Sequence, residues 1–376
     1  MNLKVGIVGA GAPQASAKRG QVWLRFFATA GAKIAMVYDP VRAHAERAAS
    51  LVANCRVTTD WREFLDTPLD VAVITSPVPF HAQEAVDCLE RGMAVLSEVA
   101  PATTLEDARR LVHAASGPDR IYMLAANYRF RDEVELLKRM ADDGRFGRIY
   151  YAEGSYLHDC RAYCRNPDGS LTWRGEGRYG VYIVHPLAPL LYILQDRVAQ
   201  VSALCHPRKM LDAGLEGDFN YTLLMRTAKG ATLYVREDSV GPRPKLTAYT
   251  LLHGTRGAFE SARGLGDEAK IAIEDSSGSV ETWRPLRDFA EQYIPDRIHP
   301  PPEIQNYIHT HGTMEYWTLQ EFLASVRERR TPAVDVFAAL DIALPGIMAV
   351  ESARRGGAVL EVPDPRTWIE SEQKGN

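Results

Sequence analysis

Val5-Gly6-Ile7-Val8-Gly9-Ala10-Gly11, with Asp39 thirty residues beyond Gly9, is the stretch that decides the reading of this 376-residue chain. An apolar run ending in closely spaced glycines reads as a buried strand entering a tight turn before a helix. Gly9 supplies backbone angles closed to other residues, and Gly11 lets the main chain approach a phosphate. Asp39 closes the next apolar run, Ile34-Ala35-Met36-Val37-Tyr38, where a carboxylate accepts ribose hydroxyls in a dinucleotide-binding βαβ unit. The third glycine of that fingerprint is missing, because position 14 is Gln14. The segment 12–19 is longer than a tight turn needs, so it reads as an elongated phosphate loop. It carries Ala12, Lys18 and Arg19, the two cations suited to neutralising a pyrophosphate, and Gly20 then supplies the close contact that Gln14 cannot. Asp39 favours NAD over NADP by repelling a 2′-phosphate, and Arg42 opposes that preference by pairing with one. Surface capping is the alternative role for Asp39.

Outward from this turn, short apolar runs alternate with helical patterns through the first 125 residues, as in a parallel sheet covered on both faces. The pattern predicts strands at 4–8, 33–38, 56–58, 70–75, 94–97 and 121–125, with helices at 21–30, 43–52, 81–91 and 105–114. After Asn127 the texture changes. A helix at 132–142 precedes alternating strands at 149–156, 198–205, 220–225, 231–237 and 247–253, with hairpin strands at 258–260 and 280–283. A loop with four prolines spans 295–302. Helices at 303–329 and 336–354 and a strand at 359–362 follow. The expected fold is α/β: an N-terminal Rossmann parallel sheet, then a C-terminal α+β domain on a mostly antiparallel open sheet. The expected domains are 1–126 for the dinucleotide and 127–362 for substrate and oligomerisation, with the late helices able to pack back on the first domain. A tail, 363–376, closes the chain.

Composition narrows the function. A hydrophobic content of 46% with 24% charged residues is ordinary for a soluble globular protein. A net charge of -4 gives no electrostatic reason to expect a nucleic-acid or membrane partner. No uncharged apolar run reaches membrane-spanning length, and the glycine run occupies the place of a signal peptide's apolar core. Five cysteines, an odd number scattered along the chain, suit reduced thiols in the cytoplasm.

Further segments carry chemistry. Thr75-Ser76-Pro77-Val78-Pro79-Phe80-His81 follows an apolar strand, at the carboxyl end of the sheet where α/β proteins bind ligands. His81 suits either a helix cap or the lining of a cofactor cleft. Ser97-Glu98-Val99 ends the fifth strand, and Asn127 follows the sixth. Later come Tyr182, His185, the step His311-Gly312 and Asp335. In this order and spacing the segments resemble the Gfo/Idh/MocA superfamily, NAD(P)-dependent enzymes acting mainly on sugars, cyclitols and related alcohols. The likeness runs from Val5 to the last strand. It implies cofactor contacts from Thr75, Ser76, Pro77, His81, Glu98 and Asn127, and a homodimer or homotetramer.

Typical family dehydrogenases carry Glu-Lys-Pro where this chain reads Glu98-Val99-Ala100. Val99 cannot carry a proton, so lysine-based proton transfer is absent there. The segment from Arg178 and Tyr179 through Gly180, Tyr182 and His185 to Pro189 resembles the Tyr-x-x-His-x-Leu-x-Pro of NAD-dependent glycosidases of the α-N-acetylgalactosaminidase type, which also lack that lysine. His311-Gly312-Thr313-Met314-Glu315 looks like their His-Gly-Gly-Met-Asp, departing at Thr313 and Glu315.

Tyr182 and His185 stand three apart and share one side of a helical turn. His185 is the expected catalytic base or orienter and Tyr182 its partner. Two packed, polar-tipped residues at a helix entry would show the same spacing. The expected specificity loop runs over 156–178, with His158, Arg161, Tyr163, Trp173 and Arg174 meeting substrate and His311 approaching from later in the chain. Cys160 and Cys164 lack the second compact ligand pair of a structural zinc site, so no metal is expected. The leading function is an NAD(P)-dependent oxidoreductase acting on a hydroxyl of a sugar, glycoside or cyclitol. One alternative is an NAD-dependent glycosidase working by transient oxidation, elimination, hydration and re-reduction. A second is a non-catalytic NAD-binding sensor or scaffold.

Overall fold

The computed structural model describes residues 3–11, 18–176, 180–210, 214–215, 218–309 and 311–369. The chain forms two compact units. One comprises Met1–Ala126, Glu303–Leu340 and Asp364–Asn376, the other Asn127–Pro302 and Asp341–Pro363. The segments 303–340 and 364–376 group with the first unit, a placement the sequence reading left open for the late helices and did not give the tail.

In the first unit β1 (Lys4–Val8), β2 (Lys33–Tyr38), β3 (Arg56–Thr58), β4 (Val71–Ile74), β5 (Ala94–Ser97) and β6 (Tyr122–Leu124) form one parallel sheet in the order β3-β2-β1-β4-β5-β6. That order reverses between β1 and β4, and such a switch point opens a ligand crevice at the carboxyl ends of the strands. β4 is buried along its whole length and β1 everywhere but Lys4, which is why both read as continuous apolar runs. The helix Arg19–Thr29 buries Trp23, Leu24 and Phe27. A short helix, Trp61–Asp66, lies outside the expected set; Asp60 caps it, accepting from the Arg62 N–H at 2.8 Å.

The second unit holds β7 (Ile149–Leu157), β8 (Val198–Pro207), β9 (Asp218–Thr227), β10 (Thr232–Asp238), β11 (Leu246–Gly254), β12 (Gly257–Glu260), β13 (Lys270–Ile273), β14 (Arg284–Pro285) and β15 (Leu360–Glu361). Their order is β14-β13-β12-β11-β7-β10-β9-β8-β15. β7 and β10 pair in parallel and the remaining neighbours antiparallel. The helix Val184–Leu194 lies against β7 so closely that a Cβ on Gly154 would stand 3.0 Å from Pro186. This contact presses the start of that helix, with His185, onto the sheet.

Two expectations are corrected. The helix expected at 303–329 is a 3-10 stretch, Pro302–Tyr307, followed by the helix Met314–Glu328. Gly312 interrupts it with φ 69°, in a turn closed by a bridge to His309. The strand expected at 280–283 is irregular, because Val280 and Trp283 find nothing to bury against and stay exposed; β14 pairs only afterwards, with the unexpected β13. The helix Val336–Arg354 is long and apolar enough to cross a membrane by length and composition alone, yet most of it is buried inside the protein.

Candidate functional site

The glycine turn is assembled from backbone contacts that leave no room for side chains. Gly9 has φ 86°, and a Cβ there would lie 2.5 Å from the Ser76 nitrogen. Gly20, early in the helix Arg19–Thr29, faces the Gly9 carbonyl oxygen, where a Cβ would come within 2.1 Å. Gly20 therefore occupies the helix-to-strand contact that the fingerprint gives to its third glycine. The Thr75 hydroxyl ties the same corner, donating toward the Val8 and Gly9 carbonyls at 2.9 and 2.5 Å. Ala12 and Gln14 lie outside the described residues.

Asp39 is buried at the end of β2. It accepts from the N–H groups of Ala10 and Val41, both at 2.9 Å, with His44 at 3.4 Å. Two backbone bonds fix the carboxylate but leave acceptor sites on a group with about four. Lys18 ends the loop in the left-handed region, exposed, and gives the following helix no side-chain cap. No acidic residue stands in the first turn of that helix. Its start therefore offers N–H donors and a positive dipole end beside bare glycine backbone, an arrangement suited to a pyrophosphate. Arg42 is exposed and pairs with Glu46. A dinucleotide fits these residues: Gly9, Gly11 and the helix start for the pyrophosphate, Asp39 for a ribose.

Other expected cofactor residues are occupied within the protein. Arg19, expected at the pyrophosphate, donates its Nε to Glu98 Oε1 at 2.6 Å and its Nη1 to Glu315 Oε1 at 2.8 Å, so two carboxylates hold its charge. Trp23 Nε1 also donates to Glu98 Oε1, at 2.7 Å. His81, offered as a cleft residue, is fully buried, its ring nitrogens 2.9 and 2.8 Å from the carbonyls of Ala100 and Ser76. It braces the loop after β4, and its burial lowers its pKa. Pro77 enters that loop at φ -59°.

The Ser76 hydroxyl donates to Glu84, whose pKa burial pushes up to about 8. A carboxyl raised on folding stabilises the fold below its unfolded pKa, and that contribution is lost as pH rises through the folded value. Between about pH 4.5 and 8 Glu84 should therefore contribute a falling slope approaching about 1.4 kcal/mol per pH unit to wild-type stability. Glu84→Gln should flatten that limb in denaturant titrations; an unchanged slope would remove Glu84 as its source.

In the second unit three tyrosine rings surround His185. His185 lies 4.6 Å from Tyr156, 4.8 Å from Tyr128 and 5.7 Å from Tyr182 between ring centroids, stacked on Tyr156 and Tyr182. The Tyr182 hydroxyl does not pair with His185 as expected. It accepts from Arg174 Nε at 2.8 Å. Burial raises the Tyr182 pKa and Arg174 draws it partly back, so the phenol stays protonated at neutral pH. Tyr156 is raised well above the ordinary phenol value by burial, and its hydroxyl lies 3.0 Å from His158 Nδ1. Arg178 and Tyr179, quoted with Tyr182 and His185, lie outside the described residues.

The expected substrate residues divide. His158, Tyr163 and Arg174 adjoin the aromatic group: Tyr163 meets His158 ring to edge at 6.5 Å, and Trp173 carries the Arg174 guanidinium on its face. Arg161 is held in a two-pronged pair with Asp159, at 3.0 and 2.7 Å. Asn127 is buried at the start of the turn Asn127–Phe130 in the second unit. His311 lies in the first unit, its Nδ1 2.6 Å from Glu315 Oε1, so it belongs with the cofactor half. Sequence reasoning passed over Trp23, Glu84, Tyr128 and Tyr156. Only Tyr156 left a signal, standing two residues before His158 at the end of β7. Among the described residues no group of three His, Cys, Asp or Glu is placed to hold a metal.

Two family models match separate stretches of the chain. Residues 3–126 match the family of oxidoreductases with an NAD-binding Rossmann fold, Gfo/Idh/MocA. Residues 194–369 match the glycosyl hydrolase 109 C-terminal domain. A glycosyl hydrolase family 109 protein of Saccharopolyspora erythraea is 25% identical over 96% of this chain and 83% of its own. One from Shewanella pealeana is 26% identical over 79% and 69%. A levoglucosan dehydrogenase solved with NADH and levoglucosan shares the fold, with TM-score 0.78 and 22% identity over 96% of this chain and 100% of that one. In its glycine-turn segment the chain is thus similar to the Gfo/Idh/MocA oxidoreductase family with an NAD-binding Rossmann fold, and in residues 194–369 to the glycosyl hydrolase 109 proteins.

Proposed function

We propose that this protein oxidises a hydroxyl of a sugar, glycoside or cyclitol, with NAD as hydride acceptor. The observation that carries the reading is His185 stacked on Tyr156 and Tyr182 and adjoined by Tyr128, in a chain whose other unit bears the glycine turn and Asp39. Bound NAD supplies a hydride acceptor. His185 takes the hydroxyl proton as the carbon-bound hydride departs, leaving a carbonyl. The neutral Tyr182 phenol, oriented by Arg174, donates a hydrogen bond to a substrate oxygen, and the ring faces of Tyr156 and Trp173 suit the apolar faces of a sugar. Asp39 favours NAD over NADP. The levoglucosan dehydrogenase relative, crystallised with NADH and a sugar, supports the substrate class.

A redox-neutral glycosidase is the second reading, favoured by the family 109 match and by Val99 where dehydrogenases of this superfamily carry lysine. A panel of sugars, glycosides and cyclitols incubated with NAD tests the main reading. NADH should accumulate with at least one member; aglycone release without NADH on every active member would transfer the protein to the second reading. We further infer a cytoplasmic homo-oligomer, dimer or tetramer, with small-molecule substrates and neither nucleic-acid nor membrane partners. The outward face of the nine-stranded sheet, which exposes Leu204 and Leu224, supports self-association.

A further inference from the structure

We propose that Glu315 and Arg19 are positioning residues for cofactor binding: through Arg19, Glu315 fixes the carboxylate of Glu98 at the carboxyl end of β5. The inference rests on the NAD-binding reading and adds to it a residue from a segment 217 positions after Glu98 in the chain.

Glu98 Oε1 receives two donors, Arg19 Nε and Trp23 Nε1, and both side-chain hydrogen bonds to this carboxylate among the described residues fall on that one oxygen. The carboxylate is thus pinned by one oxygen and presents the other at the end of the sheet where the crevice opens. Arg19 is fixed in turn. Its guanidinium lies 5.4 Å from the centre of the Trp23 ring, and its Nη1 donates to Glu315. Glu315 has no exposed surface, and its Oε1 is shared by Arg19 and His311.

Burial opposes ionisation of Glu315, but the hydrogen bond from His311 and the charge of Arg19 outweigh it and hold the carboxyl down to about 2. The group is a carboxylate at neutral pH and needs its cation. A buried network of this kind adds little net stability, since desolvation consumes most of the Coulombic gain; its value lies in fixed geometry. Here the geometry concerns the cofactor end of the sheet. Arg19 opens the helix whose start faces the pyrophosphate place, and Glu98 closes β5. Glu315 itself, fully buried, has no surface to offer a ligand. Its action is through Arg19.

The test is NADH affinity, followed by fluorescence titration of the full chain without sugar, for wild type, Glu315→Gln, Glu98→Gln and the double variant. Glu315→Gln should weaken NADH binding about 10-fold, and the double variant should be no more than about twofold weaker than the weaker single, because residues acting through one carboxylate are not additive. Glu321→Gln breaks a different pair on the same helix, with Arg330, and should leave affinity within about twofold. If Glu315→Gln does not fold, Glu315→Asp, which keeps the charge with a shorter reach, should bind with intermediate affinity. Wild-type affinity in Glu315→Gln, or losses that multiply in the double variant, overturns the proposal while leaving NAD binding intact. Failure of both Glu315 variants to fold overturns it by making the pair structural. A wild-type protein that binds no NADH removes the NAD reading, and this inference with it.

Discussion

His185→Ala should lower kcat/KM for the best sugar substrate by about 10²–10⁴-fold, the usual contribution of a positioned general base. NADH affinity should change little, since every residue assigned to NADH lies elsewhere in the sequence. The imidazole is half-buried, stacked 4.6 Å from Tyr156 at 26° and 5.7 Å from Tyr182 at 15°. Truncation therefore removes packing as well as the base, and His185→Phe separates the two. Phenylalanine keeps a ring for the stack but no proton acceptor, so it should restore the thermal midpoint without restoring turnover. Activity regained in His185→Phe would show that the ring only packs, and would leave the proton without an acceptor at this position.

Gly20→Ala should cost about 3 kcal/mol of stability, the upper range for overpacking, and weaken NADH binding. The added Cβ meets the Gly9 carbonyl oxygen at 2.1 Å and Thr75 Oγ1 at 2.9 Å. The first contact is backbone, which no rotamer change relieves, so the helix must withdraw from the turn it abuts. Alanine's better helix propensity returns only about 1 kcal/mol. Gly264→Ala, where a Cβ would meet nothing within 4 Å, is the control and should stay within about 0.5 kcal/mol of wild type. Equal denaturation midpoints for the two variants would contradict the close approach.

The same contrast between backbone and side chain explains what the chain's residues disclose by themselves. β1, β2, β3 and β5 begin and end at the expected residues, and in β1 and β5, buried almost throughout, the apolar run itself marks the strand. Gly20 was legible as the substitute for Gln14, since only glycine serves such a contact. The fate of charged groups was not. Arg19 looked like a phosphate ligand from its place in the loop, but its partners, Glu98 and Glu315, are 79 and 296 residues away. No local pattern records such distances. Tyr182 and His185 were found by spacing, yet their relation differs from the expected one: the rings stack, and the hydroxyl turns to Arg174. The helix expected from 303 onward failed at Gly312, where apolar periodicity continues across a turn that only the backbone reveals.

The most direct measurement is the stoichiometry of NADH to product on the best glycoside or sugar, read together in one cuvette over a complete turnover of limiting substrate. Oxidation through His185 predicts one NADH formed for each hydroxyl converted to a carbonyl, with both signals falling together in His185→Ala. Quantitative release of aglycone while NADH stays at its starting level would contradict it.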